Sequence, residues 1–263
     1  MGSPTTGSPT TLEAALRHDR FPVAVLAILV PLVCWLWIIV LARDMYGSMT
    51  GASAWMMTAT WDARHLLLLW AMWGVMMAGM MLPSASPTLL LYGLVARRQT
   101  PDARAPRRIY ALASGYLLVW VLFSAGATAL QRLLAKLLIV SPMMETTSAV
   151  AAGVLLLIAG AYQLTPLKAA CLQTCQSPLG FLMRRWRRGT GGAFRMGLEH
   201  GAYCVGCCWA LMLLLFAGGV MNLAVIAALT ALVAFEKLAP FGRQGARISG
   251  ALLIVAAVWM FLR

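Results

Sequence analysis

Charged side chains are scarce. Asp, Glu, Lys and Arg make up 11% of 263 residues while apolar residues make up 61%, and the mean hydropathy is +0.80. That balance excludes an ordinary soluble domain, and the length excludes a single anchor. Also missing are a glycine-rich phosphate loop, a Walker lysine motif, His-Glu-x-x-His and a Gly-x-Ser-x-Gly elbow, so nothing points to ATP-driven pumping or hydrolytic catalysis. The ten-residue alternation of a membrane barrel is absent too.

What is present is a series of apolar runs, near 22–42, 65–92, 109–130, 148–166, 200–218, 222–239 and 248–262. Most approach the roughly 20 residues that a helix needs to cross about 30 Å of hydrocarbon. The sequence therefore predicts an all-α, polytopic transmembrane helical bundle of about seven spans, or six if 248–262 lies in the interface. Residues 1–20, rich in Ser, Thr, Pro and Gly, read as a disordered tail, and 21–263 as a single helical membrane domain. Pro83 and Pro87 interrupt the second run, which predicts a kink or a helix end near Pro83. "AGGVMN" at 217–222 predicts a tight turn.

The net charge of +13 is carried between the apolar runs, where it sets orientation instead of binding nucleic acid. Of the 21 basic residues, 16 fall on alternate connections and five on the others. By the positive-inside rule the N-terminus and the connections near 97–108, 167–199 and 237–247 are cytoplasmic. The expected location is the bacterial inner membrane, with the lipid bilayer as the first partner and the oligomeric state left open. The connection 167–200, with "PLGFLM" followed by "RRWRR", suits a segment lying on cytoplasmic headgroups.

Five of six cysteines fall within 38 residues. Cys171 and Cys175 are spaced i, i+4, and Cys204 stands i, i+3 and i, i+4 from Cys207 and Cys208, with His200 one turn before. On helices these residues share faces, and the topology brings both groups to cytoplasmic helix ends. Soft thiolates select Cu(I), Zn or iron–sulfur clusters, with four sulfurs suiting Zn and two or three suiting Cu(I). Lys168 and the arginines of 184–188 are expected to neutralise the cluster. Cys34, alone in the first run, reads as a packing residue.

Four segments resemble the motifs of a bacterial family of predicted metal-binding integral membrane proteins. They are "MMLPSASP" at 80–87, "YQLTPLKAACLQTCQSP" at 162–178, "GAYCVGCCWALM" at 201–212 and "FEKLAP" at 235–240. The resemblance spans about 65–260 and implies metal binding at Cys171, Cys175, Cys204, Cys207 and Cys208, without fixing the metal.

Met72, Met76 and Met80 form an i, i+4, i+8 stripe, with Met77 and Met81 alongside. Thioethers bind Cu(I) without deprotonation, so the stripe is a candidate relay toward the thiolates, beside the plainer reading of flexible packing residues. Met45, Met49, Met56 and Met57, with Asp44, Asp62 and His65, are a weaker candidate entrance, and a solvated loop is the plainer reading. Glu199 is a candidate acceptor for His200, Glu236 and Lys237 are candidates to pair with the basic connection or with each other's helix, and an interfacial anchor is the plainer reading for each. The leading expectation is a Cu(I)-handling membrane protein serving import or delivery to a copper-dependent assembly, with a metallochaperone or membrane enzyme as partner. Two alternatives stand beside it: a scaffold subunit of an enzyme complex with a structural Zn ion, and a thiol-redox membrane protein.

Overall fold

The computed structural model describes residues 23, 25–47, 61–99, 105–137, 139–141, 144, 146 and 148–262. Met49, Met56, Met57 and the tail 1–20 lie outside the described residues.

Almost all of the described chain is helical, as its long apolar runs favour: where apolar side chains keep water away, backbone groups bond within their own segment. A π-helical turn, Val25–Leu29, leads into α1, Val30–Met45. Then follow α2, Ala63–Gln99, and α3, Ala105–Lys136. α4, Ala149–Gln163, is separated by two residues from α5, Pro166–Gln176, and the pair is bent by 66°. The short α6, Pro178–Arg185, precedes α7, Gly189–Met212, which α8, Leu214–Gly218, continues. The chain closes with α9, Leu223–Leu238, and α10, Gly242–Phe261. Among the described residues the only β pairing is an isolated bridge between Val140 and Thr146.

Among the described residues, five helical segments are long and apolar enough to cross a membrane: Val25–Met45, Ala63–Arg97, Ala105–Lys136, Gly189–Gly218 and Gly242–Phe261. The bent α4–α5 pair makes a sixth if counted as one span. The run expected at 222–239 forms α9, whose 16 residues reach about 24 Å at 1.5 Å per residue, short of a full crossing.

Helix boundaries follow the local chemistry. Thr165 Oγ1 accepts from Lys168 N–H at 3.2 Å and Pro166 takes the first position of α5, where its missing N–H costs nothing. Asn222 Oδ1 accepts from Ala224 N–H and caps α9. Gly219, at φ +92°, makes the expected turn, in a backbone region that glycine adopts at no steric cost.

α2 does not end at Pro83. It runs through both prolines, and at the second a hydroxyl takes up the freed carbonyl: Ser86 Oγ donates to Pro83 O at 2.7 Å, the acceptor that Pro87 leaves without its N–H.

The bundle is drawn together at small residues. A Cβ on Gly197 would lie 2.0 Å from Leu112 O, and one on Gly115 2.2 Å from Phe194 O, so α3 and α7 meet backbone to backbone. That contact places Tyr116 of α3 beside the cysteine-bearing turns of α7. Cys34 packs against Gly79 of α2, where a glycine Cβ would come within 3.0 Å, in keeping with a packing role.

Candidate metal centre

Three helices bring the thiols together. α7 supplies Cys204, Cys207 and Cys208, each about 1% exposed. The bend after Gln163 swings α5 against α7, and Cys175 Sγ comes to 4.0 Å from Cys207 Sγ. Cys171, half-buried, lies against Gly206, where a Cβ would be 2.8 Å from its sulfur. Tyr162 OH donates to the carbonyl of the same Gly206 and its ring meets Trp209 edge-on at 5.0 Å. A side chain at 206 would displace the Cys171 sulfur from this position.

The third contributor is α2. Met81 Sδ lies 3.9 Å from Cys208 Sγ, and Met81 is 18 residues from either end of its helix. The thiols of α7 therefore face the middle of α2. Met72, Met76, Met77, Met80 and Met81 are all fully buried, so the stripe reads inward along the bundle. The turn holding Met72 is fixed by its neighbour Trp73, whose Nε1 donates to Gln131 Oε1 at 2.8 Å.

The cation of the cluster differs from the one expected. Lys168, instead of neutralising thiols, forms a buried ion pair with Glu236 at 2.6 Å. Gln163 Nε2 and Ser249 Oγ also donate to that carboxylate, at 2.7 and 3.3 Å. The arginines turn elsewhere as well: Arg187 and Arg185 pair with Glu199 at 2.8 and 3.8 Å, so Glu199 is held by the basic segment and not by His200. The charge at the thiols comes from Lys237 of α9. Its Nζ donates to Cys204 Sγ at 2.8 Å and Ser84 Oγ at 3.2 Å, with Met81 Sδ at 3.9 Å. Lys237 is buried, as is Glu236, so neither is an interfacial anchor. Sequence spacing missed Lys237 because its partners stand 33 and 153 residues away.

Tyr116 completes the surround. Its hydroxyl shares a hydrogen bond with Cys204 Sγ at 3.0 Å and donates to Met81 O at 3.1 Å, tying α3 to α7 and α2. His200, one turn before Cys204, is stacked between Tyr116 and Phe181 at ring distances of 5.6 and 5.2 Å, and its Nδ1 is buried without a hydrogen-bond partner. At the far end of α2, Asp62 Oδ1 accepts from His65 N–H at 2.8 Å, and the buried His65 ring meets Trp61 edge-on.

Among the described residues, no three His, Cys, Asp or Glu side chains are already arranged to hold a metal ion. Two pairs of sulfurs come close, Cys175 with Cys207 and Cys208 with Met81. Two metal–thiolate bonds of about 2.3 Å, the zinc value, span about 3.8 Å at the tetrahedral angle and about 4.6 Å in line. The 4.0 Å between Cys175 and Cys207 falls inside that range, so the donor set fits a soft ion of low coordination number.

A family model described as PpoB2, copper chaperone, matches residues 70–260, a stretch that takes in the clustered cysteines, His200, Lys237 and the methionines of α2. No curated protein and no solved structure matches the chain.

Proposed function

Because the chain belongs to the PpoB2 copper chaperone family, we propose that it is an integral membrane protein that holds copper as Cu(I) on its clustered thiols. The ligands are drawn from Cys204, Cys207 and Cys208 of α7 and Cys175 of α5, two thiolates to an ion, Cys171 lies beside them, and His200 is an auxiliary ligand. The observation that carries the reading is the convergence of sulfur from three helices: Cys175 with Cys207 at 4.0 Å and Cys208 with Met81 at 3.9 Å. Thiolate and thioether together favour Cu(I) over harder ions.

Met72, Met76 and Met80 serve as a relay along α2 toward this site. Import, or delivery to a copper-dependent assembly, is the task, with a metallochaperone or membrane enzyme as the partner that gives or receives the ion. The location is the bacterial inner membrane, with the N-terminus and the arginines of 184–188 on the cytoplasmic side. This orientation is supported by the distribution of basic residues, 16 of 21 on alternate connections.

The test is elemental analysis with parallel free-thiol counting, on protein purified anaerobically in mild detergent. The expected result is about one copper per chain with thiols protected from labelling, lost in the Cys204→Ser/Cys207→Ser variant. Stoichiometric zinc would favour a scaffold, and a disulfide between clustered thiols a redox protein. Either result would sink the copper reading.

A further inference from the structure

A buried ammonium is costly unless something of opposite charge meets it. Lys237, 5% exposed, has the sulfur of Cys204 at 2.8 Å, the hydroxyl of Ser84 at 3.2 Å and the thioether of Met81 at 3.9 Å. The carboxylate next to it in sequence does not compensate it. Glu236 is taken by Lys168 at 2.6 Å and by Gln163 and Ser249. The positive charge of Lys237 is therefore directed at the thiols.

Building on the copper reading, we propose that Lys237 is a specificity-determining residue whose fixed charge matches the thiol cluster to a monovalent soft cation and disfavours divalent ones. Each ligating thiol must give up its proton to bind a metal. Two thiolates around a monovalent ion carry one net negative charge, and Lys237 brings the total to zero. Two thiolates around a divalent ion are already neutral, and the same lysine then leaves an uncompensated positive charge inside the bundle. A third thiolate would restore neutrality for a divalent ion. Among the described residues, however, no three such ligands are arranged around one point. Geometry limits the number of sulfurs, and the lysine then sets the valence that this number can hold.

The experiment uses the full chain in mild detergent, loaded with a mixture of Ag(I), a redox-inert monovalent probe, and Cd(II), then desalted and analysed for both metals. The wild-type chain is expected to retain Ag(I) in preference to Cd(II). Lys237→Met, which keeps the aliphatic stem and removes the charge, is expected to lower the ratio of Ag(I) to Cd(II) retained by at least about tenfold, and Lys237→Arg to keep it near the wild-type value. A wild-type preference for Cd(II) overturns the inference without any variant, and so does an unchanged ratio in Lys237→Met. If the wild type retains silver while Lys237→Met keeps its selectivity, the lysine role fails and the copper reading stands. If the wild type retains neither metal, the copper reading itself fails.

Discussion

Lys237 Nζ lies 2.8 Å from Cys204 Sγ, although the two residues stand 33 positions apart on separate helices. The contact joins α9 to α7 at the cluster, and Met81 and Ser84 extend it to α2. Stability and the ligand site are therefore built from the same few groups, and substitutions around it should separate the two.

Tyr116→Phe removes the hydroxyl that meets Cys204 Sγ and Met81 O while keeping the ring beside His200. Loss of these buried hydrogen bonds is expected to cost about 1–3 kcal/mol, read as a lowered midpoint of thermal unfolding. The thiol of Cys204 should also alkylate faster in the variant, as mass spectrometry after a timed pulse of reagent would report.

Gly197→Leu drives a side chain into the backbone of α3, since even a Cβ would lie 2.0 Å from Leu112 O. Overpacking of this kind costs about 1–3 kcal/mol or more and should separate α3 from α7, lowering both thermal stability and retained metal. Gly74→Ala is the control: a Cβ there meets nothing within 4 Å, and its melting should stay close to wild type.

Glu236→Gln leaves Lys168 as a buried charge without its partner, at an expected cost of about 3–5 kcal/mol. Adding Lys168→Met should recover much of that loss in thermal unfolding. Metal retained per folded chain should stay unchanged in the double variant, because this pair, unlike Lys237, does not touch the thiols.

Met81→Leu conserves volume and should cost less than about 1.5 kcal/mol, yet it removes the thioether 3.9 Å from Cys208. Copper retention is expected to fall severalfold in competition with a soluble Cu(I) chelator. Replacing Met72, Met76 and Met80 together by leucine should leave equilibrium retention intact and slow Cu(I) uptake into proteoliposomes. An unchanged uptake rate would reduce the stripe to packing.

The helices were legible because long apolar helices announce themselves by length and hydropathy, and the turn at Gly219 and Asn222 because its residue types have one local use. The grouping of Cys204, Cys207 and Cys208 was legible too, since i, i+3 and i, i+4 spacing fixes a helix face. A helix end near Pro83 was the misleading expectation, and at Pro87 the compensation lies in a side chain: Ser86 donates to the carbonyl of Pro83 that Pro87 leaves without its N–H. Lys168 and Lys237 were read in the wrong places for a similar reason. Both look like basic residues at helix ends, and only the 66° bend between α4 and α5 and the packing of α9 decide which one meets Glu236 and which meets sulfur. Tyr116 carried no local signal at all, because its role depends on the glycine contact between α3 and α7.

The 37 residues of α2 extend about 55 Å, nearly twice the hydrocarbon thickness, with Met81 at their midpoint. With that helix centred on the bilayer, an ion resting beside Met81 has crossed about half of the electrical distance, whichever face it came from. A unit charge then gains or loses about 1.2 kcal/mol per 100 mV on the way in, and the same again on the way out. Under the proposed function, occupancy of a position at that depth would respond to voltage as well as to concentration, and the membrane potential would bias which face loads it.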